Sequence, residues 1–124
     1  MLFNRVEPTF DNEPIDAVID SIKEIDNKLP VWRFFENVFL NKPDSIKIVI
    51  YNIEGEPAIK KLNLDGEIIK YTYISDGSIK EYMGNGFKKT RYGSDINYDL
   101  YQNDKFIVNM IAYTNYDKLI NTHN

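Results

Sequence analysis

Between residues 45 and 64 the chain reads S-I-K-I-V-I-Y-N-I-E-G-E-P-A-I-K-K-L-N-L, with Ile46, Ile48 and Ile50 alternating against Lys47, Val49 and Tyr51. A period of two sends successive side chains to opposite faces of a strand. The stretch therefore predicts strands over 45–53 and 58–64, joined by a turn at Glu54-Gly55-Glu56-Pro57. Alternation continues over 67–75 and 78–83, and Asp65-Gly66 and Asp76-Gly77 read as hairpin turns. F-K-K-T-R-Y, after Gly86, reads as a further short strand, and a last pair is expected over 96–102 and 105–113, joined at Asn103-Asp104. Ile107, Asn109, Ile111 and Tyr113 face one way and Phe106, Val108, Met110 and Ala112 the other. Two largely apolar faces predict a central strand there.

The first third of the chain has a different period. Ile15, Val18, Ile19, Ile22 and Ile25 fall at helical spacing, with Pro14 suited to a first turn, and predict a helix over 12–27. After Pro30 a second helix is expected over 31–40, with Val31, Phe34, Phe35, Val38 and Phe39 as its buried stripe and Trp32 and Leu40 flanking it. Asn41 and Pro43 end it, Asn as a left-handed cap. The layout is one α+β domain over 1–124: an N-terminal arm (1–11), a helical pair (12–41), a sheet (45–113) and a tail (114–124) with a short helical turn around Leu119-Ile120. The pattern predicts two N-terminal helices packed on one face of an antiparallel meander sheet of five to seven strands.

Composition narrows the chemistry. The chain has 124 residues, 43 % hydrophobic and 27 % charged, which is globular in class. Net charge is -4, and Lys88-Lys89-Thr90-Arg91 is the only local basic run, so nucleic acid is not expected as a partner. There is no Cys, which removes disulfides, thiolate nucleophiles and Cys-based metal sites. His123 is the only histidine and is penultimate, a poor place to orient a catalytic base or a multi-His metal site. Neither a cofactor nor a metal is expected. No apolar run approaches the roughly 20 residues of a membrane span.

The remaining motifs are weak. D-I-N-Y-D, with Asp95, Asn97 and Asp99, copies part of a calcium loop but lacks its Gly and distal Glu. G-N-G-F-K-K-T, from Gly84, lacks the spacing and helix start of a phosphate-binding loop. Glu54, Glu56 and Asp65 are the carboxylates a hydrolase would have to use. Tyr71, Tyr73, Tyr82, Tyr92, Tyr98 and Tyr101 are read as an exposed set that can stack on a ligand, or as ordinary cross-strand residues. Trp32, Tyr71, Tyr73, Tyr82 and Tyr92 are the candidate binding residues, and no catalytic residue is assigned.

F-F-E-N-V (34–38), D-S-I-K-I-V-I-Y-N-I-E-G-E-P (44–57) and L-N-L-D-G-E-I-I-K-Y-T-Y (62–73) together resemble a family of small bacterial domains of unknown function. That family is found mostly in Gram-positive species, often as lipoproteins. The resemblance implies a helix followed by a hairpin, and it supplies no catalytic residues. This chain lacks the Cys that would accept a lipid. A chain that begins at this Met is expected in the cytoplasm; one relieved of a leader is expected at the cell surface.

The expectation is a non-enzymatic binding domain that recognises a protein, or a second copy of itself, through a sheet face or edge. One alternative is an inhibitor or immunity-type protein whose acidic surface masks a basic site. Another is a carboxylate-based hydrolase.

Overall fold

The computed structural model describes residues 13–53 and 57–115. The expected N-terminal arm, the helical turn near Leu119, the Glu54 and Glu56 turn and His123 lie outside the described residues. The class is α+β, but among the described residues there is one helix, not two, and the strands form two sheets.

The segment read as the first helix is where expectation and structure part. Ala17–Ile19 forms a short strand, β1, and Leu29–Leu40 forms the helix α1. Asp44–Tyr51 is β2, and β1 pairs with it in parallel, Ala17 opposite Ile48 and Ile19 opposite Ile50. Parallel neighbours need a long crossover, and α1 supplies it. Within Ala17-Val18-Ile19 the two-residue period wins: Ala17 and Ile19 are buried, and Val18 is half-buried. Val and Ile are β-branched, stiff in a helix and well suited to a pleated surface. The helical stripe then fails, because Ile15 and Ile22 are exposed. Asp20 closes the turn instead, its carboxylate accepting from the Ile22 and Glu24 N–H groups.

The remaining strands are antiparallel: β3 (Pro57–Leu64), β4 (Ile69–Ser75), β5 (Ser78–Gly84), β6 (Gly86–Tyr92), β7 (Asp95–Gln102) and β8 (Lys105–Thr114). One sheet has the order β1-β2-β3-β4-β5 and the other β6-β7-β8. Asp76 and Gly77 both take positive φ, 56° and 79°, as the predicted tight turn requires. Asp65-Gly66 sits in a longer connection, and the Asp65 carboxylate accepts from the Glu67 and Ile68 N–H groups.

The change of sheet falls at Gly84. A Cβ there would lie 2.5 Å from the Tyr101 carbonyl oxygen, so only glycine permits the approach. The Asn85 N–H donates to that same oxygen, fixing the junction. Contrary to expectation, β8 is an edge strand. Two register shifts against β7 explain its two apolar faces. Bulges bend the strand and turn consecutive residues inward, and Met110 and Ile111 are both fully buried.

Helix α1 links the two sheets. Val31, Phe34 and Phe35 join one buried cluster with Ile46, Ile48 and Leu62 of the larger sheet and Tyr98 and Leu100 of the smaller. Each such side chain contributes roughly 1.5–3 kcal/mol on burial. At the helix end Asn41 adopts φ 55°, the predicted left-handed cap, and the Lys42 N–H donates to the Asn37 carbonyl. Arg33 ties the helix to the head of β2 by two hydrogen bonds to Asp44, 2.9 Å and 3.1 Å. Burial pushes the Asp44 carboxyl up, but hydrogen bonds from Arg33, Asn37 and the Ser45 N–H outweigh it and hold it below the usual carboxylate range.

Candidate functional site

Two hollows gather the candidate residues, and they differ in chemistry. The first runs between α1 and β6. Phe35 forms its floor, stacked on Tyr98 with centroids 4.1 Å apart and 6° between planes. Phe87 lies 4.6 Å from Phe35 and 5.4 Å from Phe39. Trp32 and Phe39 form the lip, and they are 47 % and 76 % exposed. Glu36 and Lys89 stand at the rim. The helical pattern predicts Phe39 in the buried stripe; the helix instead turns it out into water. The outer side of β6 has no strand partner among the described residues.

The second hollow, of about 400 Å³, lies on the inner face of the larger sheet. Pairing Lys60 with Tyr73, and Tyr73 with Lys80, sets the three across one row. Leu62, Tyr71 and Tyr82 form the next row, with the Tyr71 and Tyr82 rings 5.9 Å apart and nearly parallel. Ile50 and, from the other sheet, Val108 complete the walls. Three of the five sequence-assigned binding residues, Tyr71, Tyr73 and Tyr82, are thus brought together. Tyr71 is buried and Tyr73 and Tyr82 are half-buried, so they line a cavity and are not displayed as an exposed set. Tyr98 is buried too, whereas Tyr92, at the end of β6, is exposed and belongs to neither hollow.

Lys60 was not singled out from the sequence, although a signal was there. In A-I-K-K-L-N-L the period-two set is Ala58, Lys60, Leu62 and Leu64, which puts a lysine on the apolar face. Its neighbour Lys61, on the opposite face, lies 2.6 Å from the Glu13 carboxylate. Lys70 lies 3.4 Å from Glu81. Among the described residues Lys60 has no carboxylate partner, only the Tyr71 ring at 5.9 Å. Burial accordingly lowers the Lys60 ammonium to about 8. The same effect, followed by the nearness of Tyr73 and Tyr82, raises the Tyr71 phenol and keeps it a neutral donor.

The weaker motifs resolve as strand structure. Asp95, Asn97 and Asp99 line one face of β7, where Thr114 donates to Asp95 and Asn109 to Asn97 and Asp99. Among the described residues no group of three potential metal ligands gathers. In β6 the Lys88 and Lys89 ammonium groups lie over the Tyr101 and Tyr98 rings. Gly84 and Gly86 bracket a strand-to-strand junction, not a helix start. Among the described residues no helix is long and apolar enough to cross a membrane.

The chain belongs to the family described as a domain of unknown function, DUF4362, whose sequence profile matches residues 15–105. That span takes in β1, α1, the lining of the first hollow and all of the second except Val108. No curated protein and no solved structure matches the chain.

Proposed function

We propose that this chain is a non-enzymatic binding domain that recognises another protein through the groove between α1 and β6. The observation that carries this reading is the aromatic lip, where Trp32 and Phe39 remain in water beside a floor of Phe35, Phe87 and Tyr98. Exposed aromatic surface with a charged rim is the composition of protein interfaces. The occupant is an extended segment of the partner, lying along the open edge of β6. It extends the sheet by backbone hydrogen bonds and sends alternate apolar side chains into the groove.

The two alternatives have less support. A protein that masks a basic site needs converging acids, whereas Lys60 and Lys80 are the charged groups lining the second hollow. Of the hydrolase candidates, the described one, Asp65, spends its carboxylate on turn N–H groups, which hold it below the usual range.

The test is photocrosslinking from position 39 in the protein's own host extract, with the captured chain identified and then purified. Wild type binds the purified partner; Phe39→Glu abolishes binding while keeping the fold; Ile79→Glu, an exposed apolar site on β5, leaves binding intact. Equal binding by Phe39→Glu, or no crosslinked protein, overturns the reading.

A further inference from the structure

We infer that the cavity of Lys60, Tyr71, Tyr73, Lys80 and Tyr82 is a binding site for a small organic anion, a carboxylate or phosphate carried on an apolar body. This is a site separate from the groove and stands whether or not the groove takes a protein.

Among the described residues the fold leaves one inner-face charge of the larger sheet without an opposite charge beside it. Taking an ammonium out of water is unfavourable unless an opposite charge comes with it. On these strands the outer-face lysines Lys61 and Lys70 have carboxylates at 2.6 Å and 3.4 Å. Lys60, half-buried on the inner face, has none, and no carboxylate lines the hollow around it among the described residues. An aromatic ring face compensates a cation only in part. Lys80 adds a second positive charge from across Tyr73. A chain with net charge -4 thus keeps a local excess of positive charge at this hollow, Lys60 half-buried in it and Lys80 exposed at its mouth.

The rest of the wall selects the kind of anion. Three phenols supply O–H donors, which complement carboxylate or phosphate oxygens. Ring faces, Ile50 and Val108 supply apolar surface for the remainder of the ligand. A volume of about 400 Å³ falls within the roughly 300–1,000 Å³ of small-molecule sites. Cations and neutral amines have no acceptor charge to meet there.

Benzoate and phenyl phosphate are the probes, with benzyl alcohol and benzylammonium as controls, each followed by NMR titration at pH 7. A fragment of this size is expected to bind in the millimolar range. At least one anion saturates with shifts at Tyr71, Tyr73 and Tyr82, and the controls do not. Lys60→Met weakens that anion by about tenfold or more, whereas Lys89→Met, in the groove, leaves it unchanged. The Lys60 amine, titrated by its Cε resonance, moves upward from about 8 when the anion is bound. The inference fails if neither anion saturates, if benzyl alcohol binds equally well, or if Lys60→Met binds as wild type does.

Discussion

The two hollows of this molecule are unfinished in opposite ways. The groove between α1 and β6 leaves apolar rings in water; the cavity on the larger sheet takes the Lys60 charge partly out of water. A side chain of the groove lip can be removed with little effect on folding, since Phe39 is 76 % exposed. Lys60 works against folding, because burial lowers its ammonium to about 8 from an ordinary 10.5. Neither feature helps the isolated chain, and each is relieved by a different partner. An exposed ring calls for an apolar surface, and an uncompensated cation calls for an anion.

The largest expected effect separates the floor of the groove from its lip. Phe35 is buried and stacked on Tyr98 at 4.1 Å, and it ties the helix to the smaller sheet. Phe35→Ala should destabilise by about 3–5 kcal/mol. Phe39→Ala, one helical turn on, should stay within about 0.5 kcal/mol. Urea denaturation measures both. A similar loss at the two positions would mean that the lip is core after all.

The cavity predicts an effect of the other sign. Lys60→Met keeps the stem and removes the charge, so it should stabilise the protein at pH 7 by up to about 3 kcal/mol, the difference between about 8 and 10.5. The folded state disfavours the protonated amine. Wild type therefore carries the full penalty below about pH 8. It loses that penalty between about 8 and 10.5, where the unfolded chain binds more protons. The advantage of Lys60→Met should shrink over that window in melts at stepped pH. A constant advantage would mean that packing, not charge, is what the substitution changes.

The sequence carried the strands better than it carried their surroundings. Ile46, Ile48 and Ile50, the Asp76-Gly77 turn and the Asn41 cap all report local preferences, and local preference decided them. Residues 12–27 did not follow, because two periods compete there and tertiary context chose between them. β2 had an open edge, and three β-branched or small residues filled it in parallel. The division into two sheets rests on one close approach, Gly84 to Tyr101, which no pattern in the chain announces. Of the site residues, Tyr71, Tyr73 and Tyr82 share a face by alternation and were legible. Lys60 is equally legible by alternation, which sets it on the apolar face with Ala58, Leu62 and Leu64.

The smallest expected effect sets the two regions at opposite ends of the pH scale. Helix α1, which carries the groove, is tied to β2 by Arg33 and Asn37 on Asp44. These bonds hold the Asp44 carboxyl below its ordinary 3.8, against the desolvation that pushes it up. A carboxyl depressed in the fold contributes stability in full above its unfolded value and loses it as pH falls through the folded value. Asp44→Asn keeps the shape and removes the charge, and with Arg33 half-exposed it should cost only about 1 kcal/mol near neutrality. That cost should shrink as the pH falls below 3.8 and vanish once it passes the lower folded value, where wild type also loses the charge. Exchange of the α1 amides in acid should rise first in wild type, while the Lys60 cavity is unaffected until the pH nears 8. Simultaneous loss of both regions at one pH would show that the helix and the larger sheet open as a single unit. The groove and the cavity would then be coupled sites, not independent ones.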